Sequence, residues 1–360
     1  MYTVKPGETI WSIATKFDIS PRVMITANEL AGLKAVYSGQ SLVIPGYRGK
    51  FQREVLAYCE NGSSAKEGLP DILTSVSPCW AEINANGSIT VRIDQELLAK
   101  AKEKQIKVYI HLRSFDFDGA IIDRVLEKTQ CRHQLVRNLN DLLEEYHLAG
   151  INFHVKNISP HNRDFLTRLV QECALTLRQE GFGVIVTLPP KTGDSLGSYW
   201  THAYDYPDIG ASADYVVIEA YDFHWAEGHP GPIAPVFWIK DVLDYALMEI
   251  AEEKIILGLP CYGYDWVLTG RNRAQLLTYA RVMELQDRHN AKLIWDQDAE
   301  TPYFYYFVAG EEHQVWFENQ ESLVTKIDLV KKYHLGGIAF WSLGYEDSGI
   351  WEYLKKIHLS

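Results

Sequence analysis

Eight short apolar runs, rich in β-branched and aromatic residues, recur along residues 54–343: EVLAYC, ILTSVSPCW, IKVYIHL, GINFH, GVIVTLP, YVVIEAY, KIILGLP and GIAFWSL. Stretches of helical periodicity separate them. Near-continuous apolar strands alternating with helices belong to parallel sheets that are covered on their faces. Eight such units predict an α/β chain closed into a (β/α)8 barrel, with ligand-handling side chains gathered at the C-terminal strand ends. One interval is irregular. About 75 residues separate KIILGLP from GIAFWSL, including TPYFYYFVAGEEHQVWFEN, two aromatic strands around an AGEE turn. That predicts a small α+β insertion between strands seven and eight, at about 264–335. The barrel as a whole is expected over 51–360.

The fourth run carries unusual residues. In GINFHVK, Ile151, Phe153 and Val155 are apolar, while Asn152, His154 and Lys156 alternate with them. A period of two puts the two sets on opposite faces of a strand. An imidazole and an ammonium are thereby expected inside the barrel mouth, where the remaining strand ends supply Tyr58, Trp80, Tyr221, Asp222, Tyr262 and Trp341. Aromatics around a barrel mouth suit a sugar, whose C–H faces stack on rings while a few polar groups meet its hydroxyls.

The first 46 residues follow another pattern. YTVK is a short alternating strand, PGET a turn, IWSIATKF a helix with Ile10, Ile13, Ala14 and Phe17 on one face, SPRVMITANEL a second helix, and SLVIP a closing strand. Tyr2, Val4, Gly7, Thr9, Ile13, Ala14, Asn28, Leu30, Gly39, Gln40, Leu42, Ile44 and Pro45 match the run of a LysM module, which this βααβ unit resembles. Glu8 stands where Asp is commoner. The resemblance implies binding of N-acetylglucosamine-containing glycans, in a groove formed by Gly7, Glu8, Thr9 and Ile10 on one loop and Asn28 to Leu30 on the other. A short basic linker, residues 47–50, is expected before the barrel.

Composition narrows the function classes. Hydrophobic residues make up 47% and charged residues 23%, as in an ordinary globular protein. No apolar run approaches the roughly 20 residues that span a bilayer. The N-terminal MYTVKPGETIW shows no basic segment followed by an apolar one, so no secretory signal peptide is expected. A net charge of −12 disfavours nucleic acid and anionic membrane as partners. Cys59, Cys79, Cys131, Cys173 and Cys261 lack CxxC spacing and read as buried reduced thiols. No zinc-ligand spacing, phosphate loop or G-x-S-x-G motif occurs, so neither a metal nor another cofactor is expected.

The runs EAYDFHWAEGHPGPIAPVFWI and KIILGLPCYGYDW resemble family 18 glycoside hydrolases, in particular the branch that joins LysM modules to a barrel and acts on spore cortex peptidoglycan. Tyr221–Asp222 corresponds to the M-x-Y-D motif of strand six and Trp341 to the tryptophan that closes strand eight. The resemblance implies a glycan partner, peptidoglycan or chitin, and a place in the spore coat or cortex after synthesis in the mother cell. It says nothing of oligomeric state.

Strand four departs from that family. Its signature, D-G-x-D-x-D-x-E, ends in the Glu that protonates the glycosidic oxygen, and the preceding Asp orients the substrate acetamide that serves as nucleophile. Here the glycine is Gly150, and Ala149, Asn152, His154 and Lys156 occupy the four acid places. An ammonium is a poor proton donor near neutral pH, and a cation opposes the positive oxocarbenium-like transition state. The departure predicts a glycan-binding protein with impaired or absent hydrolysis. Glu219, which replaces the methionine of M-x-Y-D, shares an inward parity with Tyr221. Either it is expected as a relocated acid, or Lys156 or His154 is expected to form a buried pair with Glu219 or Asp222. A purely structural coat protein is the third alternative. Weaker candidates are Glu318 on the insertion, facing cleft or solvent, and His224 and Trp225, expected mainly to pack their loop.

Overall fold

The computed structural model describes residues 2–17, 21, 24–25, 28, 30, 36–44, 53–60, 68–193, 201–269 and 273–357. Eight strands form the barrel: β1 (Glu54–Cys59), β2 (Ser75–Pro78), β3 (Lys107–Ser114), β4 (Gly150–Phe153), β5 (Gly183–Leu188), β6 (Tyr215–Glu219), β7 (Ile255–Pro260) and β8 (Gly337–Trp341). Each is parallel to its neighbour in sequence, and β8 pairs with β1. The ring of eight is closed, and the short hairpin Ala81–Ile83 and Ile89–Val91 is added beside the end of β3.

Side-chain parity divides two cores. Val55, Ala57, Ile151, Phe153, Val184 and Val186 join the apolar layer shared with the surrounding helices. Leu56, Tyr58, Tyr109, Ile185, Val217, Ile256 and Ala339 fill the lumen. The helices supply matching stripes; Thr129–Tyr146 buries Leu135, Leu139, Leu142 and Leu143, spaced three and four residues apart. At Gly150 the backbone has no room for a side chain, because a Cβ would lie 2.0 Å from the Gly183 carbonyl oxygen on β5.

Between β7 and β8 lies an antiparallel five-stranded sheet, in the order Gln275–Thr278, Tyr262–Val267, Glu311–Phe317, Thr301–Val308, Ile294–Asp296. Its hairpin turns through Ala309 and Gly310, both at positive φ, as tight two-residue turns require. The helix Tyr279–His289 covers one face, burying Val282 and Leu285 against Phe304, Val315 and Phe317. The inserted sheet begins at Tyr262 and ends at Phe317. The following helix, Gln320–Lys332, sends Leu323, Ile327 and Val330 into the main core and belongs to the barrel, contrary to the expected limit near 335.

At the N-terminus, Tyr2–Thr3 pairs antiparallel with Ser41–Leu42. The helix Ile10–Lys16 starts at a reciprocal cap in which Thr9 and Ser12 bond each other's backbone. Val4, Ile10, Ile13, Ala14, Met24, Leu30 and Leu42 form its core. Parts of the second helix expected over 20–30, and the linker at 47–50, lie outside the described residues. Among the described residues no helix is long and apolar enough to cross a membrane.

Candidate functional site

Strands β4 and β6 deliver the polar groups at the barrel mouth. Past Phe153 the chain still follows β3, with the His154 N–H donating to the Leu112 carbonyl at 2.9 Å. His154 and Lys156 thereby keep the inward parity of Asn152. Lys156 Nζ donates to Glu219 Oε1 at 2.9 Å, and the Tyr221 hydroxyl donates to the same oxygen at 2.7 Å. His154 Nε2 lies 3.3 Å from that oxygen, off the line of a good hydrogen bond. Glu219 is 4% exposed, whereas the Lys156 side chain remains 34% exposed.

The charges follow from these contacts. Burial alone would raise the Glu219 carboxyl, but the Lys156 ammonium and the neighbouring His154 outweigh it and hold the carboxyl well below its usual range. Burial lowers His154, against the attraction of Glu219, so its ring is neutral near pH 7. His111 is lowered further by burial, by His154 and by Arg113. The resting state is an ionised Glu219 paired with a charged Lys156 beside a neutral imidazole.

Beneath the pair runs a buried relay. Cys79 Sγ lies 2.8 Å from His111 Nδ1, and His111 Nε2 lies 2.8 Å from His154 Nδ1. Burial pushes the Cys79 thiol up to about 12, so it keeps its proton. A consistent proton assignment runs from the Cys79 thiol to His111, from His111 to His154, and from His154 Nε2–H towards Glu219. Lower in the lumen, Asn152 donates to Ser77 at 3.0 Å and accepts from Thr187 at 2.8 Å, and Thr187 meets the Tyr58 hydroxyl at 2.5 Å.

Several expected glycan contacts lie elsewhere. Tyr58 is 1% exposed and committed to Thr187, so its ring is lumen packing that supports Trp341, 4.8 Å away between centroids. Trp80 is 4% exposed in the main apolar core, because its parity turns it away from the lumen. Glu318 faces neither cleft nor solvent: at 1% exposure it pairs with the fully buried Lys326 and accepts from Ser322 at 2.5 Å. Tyr262 is buried, but its hydroxyl donates at 2.6 Å to Asp222, which also accepts from Tyr264 at 3.3 Å. Asp222 is exposed at the mouth with φ 60°. Trp341 is partly exposed above His154, at 6.0 Å and edge-on. Outside the mouth, His224 bonds the His229 carbonyl at 2.9 Å, while Trp225 is largely exposed. Cys131 is only partly buried, unlike the other four cysteines, and none of the five is in a disulfide.

In the N-terminal module, Gly7 has the φ of 82° that its turn requires. Glu8 accepts from the Tyr2 hydroxyl at 2.6 Å and the Lys5 N–H at 2.8 Å, a reach that explains Glu where Asp is commoner. Thr9 is a helix cap. Ile10 and Leu30 correct the expected groove, since both side chains are core. Asn28 bonds the Val43 N–H at 2.6 Å and the Met24 and Val43 carbonyls at 2.8 Å each, which makes it a strut between helix and strand.

His111, Cys79, Arg113 and Phe117 were not singled out from sequence. For His111 and Arg113 the signal lay in the parity of KVYIHLR, which places them on the lumen side with Tyr109. Among the described residues no group of three or more His, Cys, Asp or Glu could hold a metal ion.

The model of glycosyl hydrolases family 18 matches residues 54–346, and that of the LysM domain residues 2–45. The chain belongs to glycosyl hydrolase family 18. It is 27% identical to the cortical fragment-lytic enzyme of Bacillus subtilis (strain 168) over 408 aligned positions, covering 96% of this chain and 94% of that protein. The solved structure of the Bacillus megaterium QM B1551 spore cortex-lytic enzyme SleL superposes with a TM-score of 0.78 at 29% identity, covering 98% of this chain and 85% of that one. A chitinase from Chromobacterium violaceum ATCC 12472 superposes at 0.79 with 28% identity, over 84% of this chain and 98% of that one. At the mouth of this family-18 barrel, Lys156, just past the end of β4, is ion-paired with Glu219.

Proposed function

We propose that this family-18 member holds N-acetylglucosamine-containing glycan, through its LysM module and barrel cleft, without the family's substrate-assisted hydrolysis. The carrying observation is the Lys156–Glu219 ion pair, 2.9 Å long, at the acid position. A general acid must be protonated at working pH and within reach of the leaving oxygen. Glu219 meets neither condition, being ionised and 4% exposed beneath Lys156. Glu219 as a relocated acid is therefore disfavoured. His154 is neutral and supplies no anion to steer an acetamide.

The polymer is peptidoglycan of the spore cortex or cell wall, or chitin. The spore setting is supported by the descriptions of the relatives as cortical fragment-lytic and spore cortex-lytic enzymes. Those same descriptions favour a second reading, hydrolysis through a different carboxylate. Three residues past the end of β6 stands Asp222, exposed at the mouth and braced by Tyr262 and Tyr264.

Binding and reducing-end release are measured together on spore peptidoglycan and chitin oligomers. Binding without release is the expected result. Release abolished by Asp222→Asn or Glu219→Gln would establish the hydrolase reading. Absence of both binding and release would leave only a structural role.

A further inference from the structure

A second cation stands beside Lys156. Arg113 is the residue after Leu112 at the end of β3, with the inward parity of His111, and it is partly exposed. Among the described residues no carboxylate lies within ion-pair distance of its guanidinium, whose recorded contact is the ring of Phe117, 5.3 Å from centroid to Cζ. Lys156 Nζ lies 5.1 Å from the centroid of the same ring. The two charges can be no farther apart than the sum of those distances. Phe117 also packs on His154, at 4.9 Å.

This arrangement is built at a cost. Asp116 and Phe117 have φ of 48° and 54°, left-handed backbone that costs non-glycine residues about 1–2 kcal/mol each. The strained turn brings Phe117 back over Arg113, four residues earlier. Asn157, also left-handed at φ 58°, ties the loop after β4 to it by donating to the Phe117 carbonyl at 3.2 Å. The nearby acids form no ion pair with Arg113: Asp118 caps the helix Gly119–Glu127 through the Ala120 N–H at 2.9 Å, Asp116 is exposed, and Glu82, opposite Arg113 on the short strand Ala81–Ile83 and the acid that most offsets its charge, is not within ion-pair distance. Lys156 spends one of its three N–H donors on Glu219. In a chain of net charge −12, two cations with donors to spare have been collected at the mouth of the barrel.

We infer that Arg113 and Lys156, braced on Phe117, form a subsite for a carboxylate carried by the glycan, so that the barrel takes an acidic amino-sugar polymer in preference to a neutral one. This rests on the reading that the cleft holds glycan, and it names the class of glycan. A neutral sugar could stack on Phe117 but would leave the guanidinium to water. A carboxylate accepts two parallel N–H bonds from the guanidinium. The carboxylate could sit on a lactyl ether, as in N-acetylmuramic acid, or on a uronic acid.

The test uses the full chain and isothermal titration with chitotetraose, the N-acetylglucosaminyl-N-acetylmuramic acid disaccharide, its methyl ester, and a hyaluronan tetrasaccharide. The free-acid disaccharide should bind about tenfold tighter than its ester, the worth of one charge-assisted bond. Arg113→Gln should bring that ratio to near one, with chitotetraose binding unchanged as a control for folding and for the LysM module. Arg113→Lys should keep part of the preference, and it decides the matter if the Gln variant misfolds. Tight hyaluronan binding lost in Arg113→Gln would identify the uronic source and support the subsite equally. Equal binding of acid and ester beside firm chitotetraose binding overturns the carboxylate subsite while leaving glycan holding intact. A preference that survives Arg113→Gln also overturns it. Binding of no ligand overturns both.

Discussion

Lys156 on the loop after β4 and Glu219 at the end of β6 meet across the barrel mouth at 2.9 Å, and the carboxylate lies beneath the ammonium. Strands four and six contribute to the same layer of a (β/α)8 barrel, because layers are filled from alternate strands. Lys156 and Glu219 thus form one mutually compensated pair. Methionine opposite a lysine would strand a charge; glutamate opposite a lysine does not.

Removing the cation alone should destabilise the protein. Lys156→Gln leaves a buried carboxylate without its counter-ion, expected to cost about 1–3 kcal/mol after allowance for the partial exposure of Lys156. Urea unfolding measures it. The pH dependence has a defined sign. With a folded pKa held below its unfolded 4.5, Glu219 contributes stability above that value and loses it only as pH falls through the lower folded one. Without Lys156, burial raises Glu219, so the deficit should be largest near pH 7 and shrink on acidification towards pH 5. A deficit independent of pH would contradict the pairing.

On the proposed reading, the family's hydrolysis would take three changes. His154→Asp with Lys156→Glu rebuilds the acid motif but sets a new carboxylate beside Glu219, and two carboxylates sharing a site disturb each other's ionisation. Adding Glu219→Met removes the competitor. The triple variant is expected to release reducing ends about 10²–10⁴-fold faster than the wild type, the usual contribution of a general acid. A folded triple variant no faster than the parent would show that the cleft has lost more than its acid.

The pair inside the barrel's seventh helix unit should behave differently. Glu318 and Lys326 are both fully buried, with burial pushing the carboxyl up and the ammonium down against their mutual attraction. Lys326→Met alone is expected to cost about 3–5 kcal/mol, whereas Lys326→Met with Glu318→Leu should recover most of the loss. Thermal and urea denaturation of both variants checks this, and glycan binding should be unaffected in the double variant.

Alkylation should report burial residue by residue. Cys79 and Cys173 are pushed up to about 12 by burial, and Cys261 is also raised. Cys131 is partly exposed. Iodoacetamide at pH 8 should label Cys131 first in the native protein, with the four buried thiols, Cys59 included, reacting only on unfolding, as read by peptide mass spectrometry. Early labelling of Cys79 would argue that the thiol–imidazole relay opens in solution.

Local pattern was enough for much of this protein. The two-residue alternation of GINFHVK, the eight apolar runs and the LysM residues depend on near neighbours, and they specify which face a side chain takes. Parity foretold that Asn152, His154 and Lys156 point inward and that Glu219 lies on the same side as Tyr221. It could not say how far inward, or toward whom. Glu318 reads like a surface residue in VWFEN, yet Lys326, eight residues on, draws it into the core. The Arg113–Phe117–Lys156 cluster depends on left-handed backbone at residues without glycine, which no propensity announces. Tertiary structure alone decided the Lys156–Glu219 contact across 63 residues of chain and the relay from Cys79 through His111. The reason is physical: the period of a strand assigns a direction, whereas distance, burial and the resulting charge state arise only when the barrel closes.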